Sequence, residues 1–558
     1  MKNKIFTLLI AVATISLCAT SCIEEVDPQT SRATVDQVKN APGAFENAVN
    51  AIFSTLCGEF VYDSSSTDVY DLGIPAFFLE RDVMGQDIAY PYQNWYSAWY
   101  TVTYLGASYR YAQLPWTYYF KWIKNCNETI TLAGEEPAED QKAGAGIAYA
   151  MRAYFYMDLA RMYAPKPYSA DKNAVSVPIV KETTTIEDLQ HNPRATNEEM
   201  WAFILSDLDK AEALLANYKR TDVYRPDRSV VYGLKARAYL EMADWANAEK
   251  YAKLAQEGYT IMTEDEYTDW ETGFNTPNNA WMFAITYKSD DPAILLNDAD
   301  SSWGSMMCIE INPEVSGCGY AANYGQPFLI DRHLYETIPA TDCRKKCYVD
   351  FAIDELGSED EMIDALAVYS KHPDWIYNCG MSVSGYKKVG GLPLKFRTAG
   401  GDVGRDNQYV GFVLAVPLMR VEEMALIEAE AAGMQNEARG IELLTAFAKK
   451  RDANYVYGTH RDAYYNTKTS QFQNEVWWQR RVEFWGEGMA TFDIKRLQKG
   501  IIRSYAGTNH VETYRFNREE TPEWMNLCIV QTETNYNFDC TNNPDPSQPN
   551  GDSPEYVW

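Results

Sequence analysis

Histidine and positive charge are scarce in this chain of 558 residues. It has only 5 His, and its 50 Lys and Arg stand against 78 Asp and Glu, which gives a formal net charge of −28. A surface of that sign repels phosphate backbones and anionic bilayers, so we expect no nucleic-acid partner. The chain also lacks the GxSxG, HExxH, P-loop and GxGxxG motifs. The sequence therefore predicts no catalytic residues.

Cysteines are too few and too scattered to form a disulfide framework for a chain of this length. Apart from Cys18 and Cys22 there are nine, an odd number, so at least one thiol is free or paired between chains. Cys343 and Cys347 lie four apart, with no second CxxC and no His pair nearby. This spacing favours buried thiols or one local disulfide over zinc.

Other metal ligands are equally dispersed along the sequence. His333, His372 and His460 are separate loop or helix-edge residues, and no pair has metal-ligand spacing. Four Asp lack the EF-hand spacing and its Gly. They are Asp290, Asp291, Asp298 and Asp300. We expect no cofactor and no metal site, and a structural calcium is the one ion that these acids leave open.

One long apolar run exists, and it lies at the N-terminus. Lys2 and Lys4 precede the apolar stretch 5–17, which is followed by small residues at 19–21 and then Cys22. The stretch is shorter than the roughly 18 residues of a spanning helix. The pattern predicts a lipoprotein signal peptide over 1–21, acylation of Cys22 and a body held to a membrane by lipid. An ordinary secretory signal is the alternative.

Helical periodicity dominates two blocks, 101–257 and 412–500. Apolar residues recur at three- and four-residue spacing between 141 and 215, and Thr196 has the chemistry of a helix N-cap. Further helical pairs are predicted over 229–257 and from 419 onward, with small residues at tetratricopeptide-like offsets. The fold class is therefore mostly α, with about four helical hairpins and few short strands.

The region between the two blocks, about 260–411, has a different composition. Gly, Asn, Asp, Pro and aromatic residues are frequent, and 281–285 is its one clear strand. The rest is predicted to be long loops, which in a compact domain are usually functional. The C-terminal segment 539–558 is rich in Asn, Pro, Ser and Asp, and we expect it to be a loosely packed tail.

Aromatic residues make up 14% of the chain, with 40 Tyr and 15 Trp against 21 Phe. Tyr and Trp combine an apolar face with a polar edge, which suits the C–H faces and hydroxyls of sugar rings. Two clusters stand out, one over 90–100 and one over 303–328. Trp99 and Tyr100 are expected to start a helix and face the core.

Six motifs follow one another along the chain. They are FKWIKNCNETI (120–130), MRAYFYMDLARMYAPKPY (151–168), RATNEEMWAFILSDLDKAEALL (194–215), LYETIPATDCRKKCYVD (334–350), MRVEEMALIEAEAA (419–432) and QRRVEFWGEGMATFDIKR (479–496). In this order they resemble the motifs of the SusD/RagB family of outer-membrane nutrient-binding lipoproteins. Gln479, Ala490 and Val530 depart from the residues usual in the family. These departures concern local packing, because the signatures are structural.

The resemblance implies a single SusD-like domain over 22–558 that presents an aromatic arc formed by an early loop and a mid-chain insertion. It implies capture of an extracellular oligosaccharide without catalysis, and delivery to a SusC-like TonB-dependent transporter in the outer membrane. The lipid anchor would hold the protein on the cell surface. By position, the predicted ligand-contacting residues are Tyr90, Tyr92, Trp95, Trp303, Tyr320, Tyr324, Asp87, Asn94 and Asn323.

Charged residues in the late motifs are expected to fix the register of neighbouring helices by Arg–carboxylate pairing. They are Arg420, Glu423, Glu428, Glu430, Arg480, Arg481, Glu483, Asp493 and Arg496. Paired carboxylates are also what a glycosidase requires, so a secreted glycosidase is one alternative function. A RagB-like peptide-binding member of the same family and a tetratricopeptide interaction scaffold are the others.

Overall fold

The structure, a computed structural model, describes most of the chain after residue 40. The described residues are 41–58, 72–90, 95–314, 318–323, 327–383, 386–460, 469–549, 551 and 553–558. The chain divides at Asn47, and Ala48–Trp558 form one compact unit.

The N-terminal half contains the longest helices. Its elements are α1 Ala44–Phe53, α2 Ile74–Val83, β1 Ile88–Ala89, α3 Ser97–Thr101, α4 Arg110–Ala133, α5 Lys142–Tyr163, α6 Ile186–Leu189, α7 Asn197–Leu214, α8 Arg228–Glu241, α9 Trp245–Ala255, α10 Glu264–Tyr267 and β2 Trp281–Thr286.

The middle of the chain consists of shorter elements. They are α11 Pro292–Leu295, α12 Trp303–Met307, α13 Tyr320–Asn323, β3 Leu329–Ile330, α14 Arg332–Thr337, α15 Glu359–Leu366, α16 Pro373–Asn378, β4 Met381–Val383, β5 Tyr386–Lys388, α17 Gly401–Arg405 and α18 Gln408–Gly411. Single 3₁₀ turns occupy Asn297–Ala299, Cys343–Cys347 and Phe351–Glu355.

The C-terminal part returns to longer helices and ends in turns. Its elements are β6 Ala415–Arg420, α19 Val421–Gln435, α20 Glu437–Ala448, α21 Gln471–Glu483, α22 Ala490–Arg496, β7 Ile501–Ile502, β8 Asn517–Arg518 and α23 Gln531–Thr534, with 3₁₀ turns at Glu512–Tyr514 and Glu523–Met525.

The long helices pack in pairs, as the sequence predicts. Helix α4 packs on α5, α5 on α7, α8 on α9 and α19 on α20, and α9 also packs on α19. The two predicted helical blocks are therefore one scaffold, and the mostly α fold is confirmed. Thr196 caps α7 through a capping box with Glu199, which confirms the predicted helix start.

Small residues set the close approach of these pairs. A Cβ added to Gly440 of α20 would lie 2.2 Å from the Cα of Gly433 in α19, so the two backbones touch at this point. A Cβ on Gly146 of α5 would lie 2.7 Å from Cγ of Leu215, just after α7. Any larger residue at these positions would push the helices apart.

The mid-chain insertion leaves and re-enters the scaffold through one antiparallel strand pair. Strand β2 pairs with β6 from Trp281↔Arg420 to Thr286↔Ala415. The predicted strand at 281–285 is confirmed. The prediction of long loops between them is wrong, because short helices capped by single polar side chains fill the region. Ser358, for example, accepts a hydrogen bond from Glu361 N at the start of α15.

The predicted helix-register charges form buried ion pairs. Glu483 of α21 accepts hydrogen bonds from Arg451 (2.9 Å), Arg420 (3.2 Å) and Arg344 (3.3 Å). These three cations hold the pKa of Glu483 far below its ordinary value, although burial opposes them. Among the other predicted residues the pairs are Arg237–Glu423, Arg496–Glu430, Arg480–Asp493 and Arg481–Asp87. Glu428 instead accepts a hydrogen bond from Gln256.

The C-terminal segment is not a loosely packed tail. Asn543 is buried and donates to the carbonyls of Tyr163 and Leu527, both at 2.8 Å. Further along, Tyr556 N donates to Ser504 O at 2.8 Å. Polar composition misled the prediction here, because Asn side chains replace apolar contacts by satisfying backbone carbonyls.

Candidate ligand-binding site

A two-residue strand pair joins the two aromatic clusters. Strand β1 pairs antiparallel with β3, with Ile88 opposite Ile330 and Ala89 opposite Leu329. Because the strands are antiparallel, the chain that leaves β1 and the chain that enters β3 lie at the same end of the pair. Tyr90 and Phe328, the next residues outward, stack with ring centroids 4.6 Å apart and planes inclined by 11°. Residues 90 and 328, one in each aromatic cluster, therefore meet.

Three residues predicted to contact ligand are buried beneath this junction. Tyr90 is fully buried. Trp303 is 1% exposed and makes T-shaped contacts with Phe78 and Phe396. Neither ring reaches the surface, so the structure places Tyr90 and Trp303 in the core that supports the loops.

Asp87 is the third buried residue. Arg481 Nε donates to its Oδ1 at 2.9 Å and to its Oδ2 at 3.0 Å, and the residue is 5% exposed. Burial raises the pKa of Asp87, and the guanidinium of Arg481 opposes that shift. A carboxylate held in this way fixes the start of the early loop on α21 and has no exposed lone pair for a sugar hydroxyl.

Trp95 and Tyr320 are the predicted residues that reach the rim of the junction, and both side chains are half-buried. Tyr320 N donates to Ser305 Oγ at 2.7 Å, which ties α13 to α12. Predicted residues Tyr92, Asn94 and Tyr324 lie outside the described residues, and of Asn323 only the backbone is described. Trp99 and Tyr100 are fully buried, so their predicted core role is confirmed.

A cleft of about 500 Å³ opens beside α13. It is lined by Asn312, Pro313, Glu314, Ala322, Asp374, Trp375, Asn378 and Lys387. Its aromatic member is the half-buried Trp375 on α16, whose ring stacks on His372 at 3.7 Å. One indole surrounded by amide, carboxylate and ammonium groups is the composition of a site for a ligand with both C–H faces and hydroxyls.

Polar side chains of this cleft are held by short contacts. Lys387 Nζ donates to Asn378 O at 2.5 Å, across the wall formed by α16 and β5. Asn312 donates through Nδ2 to Asp406 at 3.0 Å and accepts from Glu314 N at 3.0 Å. The Asn312 amide is thus preoriented, so its remaining lone pair has a defined direction.

Sequence reasoning missed Trp375. The segment HPDWIYN shows neither an aromatic cluster nor a periodic pattern. A usable signal exists in Pro373, which suits the first turn of a helix and places residues 372 and 375 one turn apart. His372 is at the helix edge, as predicted, and its ring supports the indole.

A second cleft of about 460 Å³ lies at the 3₁₀ turn Cys343–Cys347, with Trp270, Tyr335, Tyr369 and Lys345 among its lining residues. Its cations are already bonded within the protein. Lys345 Nζ donates to the carbonyls of Tyr335 (3.3 Å) and Ile338 (2.7 Å). This cleft therefore offers fewer free polar groups to a ligand than the cleft at Trp375.

The predicted metal-ligand candidates do not converge within the described part of the chain, where no three His, Cys, Asp or Glu side chains gather as ligands. Asp291 accepts from Lys288 N, and Asp298 accepts from the Tyr409 hydroxyl. All nine described Cys are free and buried, in agreement with the buried thiols predicted for Cys343 and Cys347. Burial raises the pKa of Cys347 to about 11.

Cys22, the predicted lipidation site, lies outside the described residues. Among the helices that the structure describes, none combines the length and the apolar content that a membrane crossing requires.

Two family models match the chain. The model described as starch-binding associating with outer membrane matches residues 78–240, and the SusD family model matches residues 382–548. Among curated proteins, SusD-like protein P38 from Formosa agariphila is 21% identical over 399 residues, which cover 70% of this chain and 73% of the relative.

Solved structures with the same fold include a SusD-like carbohydrate-binding protein from Bacteroides vulgatus. Its TM-score is 0.68 at 21% identity, over 89% of this chain and 97% of that one. Another is surface glycan-binding protein A from Bacteroides thetaiotaomicron in complex with laminarihexaose, with a TM-score of 0.61 at 18% identity, over 90% and 99% of the two chains. The ordered motifs, the paired helices, the family models and these neighbours lead to one conclusion: the chain belongs to the SusD/RagB family.

Proposed function

We propose that this protein binds a neutral oligosaccharide at the cell surface, in the cleft at Trp375 and the adjoining aromatic rim. The observation that carries the proposal is the cleft itself, where one stacked indole lines the same wall as the preoriented amide of Asn312. A structural neighbour is named as a complex with laminarihexaose and another as laminarin-binding, which supports a glycan as the ligand class. The formal charge of −28 disfavours anionic glycans.

The proposed role is capture followed by delivery to a SusC-like TonB-dependent transporter. Glu483 and Glu430 of the late family motifs support a role without catalysis, since both are buried against Arg side chains and support helix packing. The protein would be held on the outer membrane, facing outward, by acyl chains on Cys22, as its signal pattern suggests. A short apolar leader followed by a polar body fits this arrangement.

Three alternatives differ in measurable ways. A peptide-binding member would show affinity for a peptide library and none for glycans. A glycosidase would turn over an oligosaccharide that it binds. A tetratricopeptide scaffold would bind a protein segment, and the loss of Trp375 would then leave its affinity unchanged.

The test is a glycan-array screen on protein that lacks residues 1–22, followed by calorimetry of Trp375→Ala with the best neutral oligosaccharide. We expect affinity to fall about ten- to a hundredfold, because the loss of one aromatic contact in a binding site typically costs about 1–3 kcal/mol. Trp270→Ala is the matched control, because Trp270 is also half-buried and lines the second cleft.

Thermal melts accompany both variants. An unchanged melt with weaker binding in Trp375→Ala alone supports the proposed cleft. Loss of affinity in Trp270→Ala instead would move the site to the second cleft. If the wild-type protein binds no glycan on the array, the proposed function is wrong.

A further inference from the structure

Two tyrosines form an exposed aromatic pair outside both clefts. Tyr104 is 59% exposed and Tyr109 is 45% exposed, and their ring centroids lie 5.2 Å apart at 63°. Neither hydroxyl has a hydrogen-bond partner among the described residues. Large rings that stay exposed while contacting each other present C–H and π surface together with free hydroxyl groups.

The loop that carries Tyr104 has an unusual backbone. Val102 and Tyr104 both adopt left-handed conformations, with φ of 58° and 57°. A β-branched residue such as Val rarely has positive φ, and such residues persist only when their surroundings determine the conformation. Val102 is buried, and Thr103 N donates to Ala98 O at 3.0 Å. The loop therefore turns Tyr104 outward while Val102, two residues earlier, enters the core.

The C-terminal segment secures both ends of this loop. Gln548 Nε2 donates to Thr101 O at 3.0 Å. On the other side, Ala107 N donates to Asp545 Oδ1 at 3.2 Å. The Asp545 carboxylate lies so close to Gly106 that a Cβ there would approach Oδ2 to 2.5 Å. Residues 102–105 are thus bracketed by two contacts from one distant segment of the chain.

The pair also continues the aromatic series that starts at the junction of the two loops. Phe328 contacts Tyr96 at 5.9 Å, Tyr96 contacts Trp99 at 5.6 Å, and Trp99 contacts Tyr111 at 4.9 Å. Tyr111 lies in the first turn of α4, whose N-cap residue is Tyr109. The series of rings therefore runs from the junction to the first turn of α4, two residues from Tyr109.

We infer that Tyr104 and Tyr109 form a second stacking platform for the same neutral oligosaccharide, and that the C-terminal segment holds this platform in place. The inference rests on the proposed function and extends it to longer ligands. A long chain would contact both the cleft and the platform, whereas a disaccharide would reach only the cleft. Free phenol hydroxyls and exposed ring faces fit sugar hydroxyls and C–H faces respectively.

Calorimetry with a disaccharide and a hexasaccharide of the neutral series that the wild-type protein binds tests this inference. We expect Tyr104→Ala to weaken hexasaccharide binding about tenfold and to leave both disaccharide binding and the melting temperature unchanged. Tyr104→Phe should keep most of the affinity. Tyr536→Ala is the matched control, because Tyr536 is 75% exposed, lies just after α23 and makes no ring contact with Tyr104 or Tyr109 among the described residues.

The role of the C-terminal segment is tested by a double variant, Asp545→Ala with Gln548→Ala. We expect faster amide hydrogen exchange at residues 102–105 and the same selective loss of hexasaccharide affinity. Unchanged exchange and affinity in this variant would overturn the role of the segment.

Three outcomes would overturn the platform. The first is that Tyr104→Ala binds the hexasaccharide as tightly as the wild type, and the second is that Tyr536→Ala loses as much hexasaccharide affinity as Tyr104→Ala does. The third is that Tyr104→Ala keeps its sugar affinity but no longer forms a complex with the transporter, which would make the pair a protein contact. If the wild type binds the disaccharide through Trp375 and binds the hexasaccharide no more tightly, the platform is wrong and the proposed function stands. If it binds no sugar, the proposed function falls and the platform falls with it.

Discussion

Glu80 is a buried carboxyl group without a counter-charge in contact with it. It lies in α2, is 1% exposed, and neither carboxyl oxygen has a hydrogen-bond partner in the part of the chain that the structure describes. The neighbouring Arg81 turns instead to Gly488 O (2.8 Å) and Asp158 (3.3 Å). Burial raises the pKa of Glu80 to about 8, and Arg81 only partly opposes this shift.

The consequence is a pH-dependent loss of stability. The folded protein holds the proton of Glu80 more tightly than the unfolded chain does. The contribution of this proton to the free energy of unfolding is therefore complete below about pH 4.5 and is lost as the pH rises to about 8. Between pH 4.5 and 7 the unfolded chain gains about 1.4 kcal/mol per pH unit from ionisation, so Glu80 costs about 3 kcal/mol at pH 7. Glu80→Gln removes this dependence.

The assay is urea unfolding of the wild-type protein and Glu80→Gln at pH 5, 7 and 8.5. We expect the variant to gain stability relative to the wild type by about 3 kcal/mol at pH 7, by more at pH 8.5 and by less than about 1 kcal/mol at pH 5. Other groups titrate equally in both proteins and cancel in the difference. If the difference in free energy of unfolding between the two proteins stayed constant with pH, the reasoning would be refuted.

Three further predictions concern packing, charge and anchoring. Gly440→Ala should lower the free energy of unfolding by about 1–3 kcal/mol, because its methyl group would overlap Gly433; urea titration measures this. Glu430→Gln should cost about 1–3 kcal/mol in the same assay, because the buried guanidinium of Arg496 loses its bidentate carboxylate at 2.6 and 3.0 Å and keeps only Asp493 at 3.0 Å. Cys22→Ala should move the protein from the membrane fraction to the wash, as immunoblots of fractions would reveal.

The packing and charge predictions each have a matched control, and all three predictions have a contrary result. Gly357→Ala adds a methyl group with its nearest neighbour at 3.5 Å and should change stability little. Glu128→Gln breaks only the exposed pair with Lys124 and should cost less than about 1 kcal/mol. If Gly440→Ala or Glu430→Gln lowers the free energy of unfolding no more than its control does, the packing or the charge argument is contradicted. A Cys22→Ala protein that stays in carbonate-washed membranes would contradict lipid anchoring.

Local sequence determined the helical scaffold. The start of α7 follows from Thr196 and Glu199, which satisfy backbone groups of their own first turn, and the apolar spacing that follows needs only a generic partner. Strand β2 was equally predictable from its run of large apolar residues. The late motif charges were correctly assigned to the scaffold, because Arg and Glu at helical spacing require partners when they are buried.

The tertiary structure alone decided which aromatic residues are available to a ligand. Trp95 and Trp303 both follow a polar residue in a predicted loop, yet the first is half-buried and the second packs against Phe78 and Phe396. Trp375 lines a cleft because α16, α13 and β5 converge on it from distant parts of the chain. The contacts that the C-terminal segment makes with residues 101–107 could not be predicted from the sequence either. Burial and convergence depend on contacts between residues far apart in sequence, and no local pattern encodes the direction in which a loop side chain points.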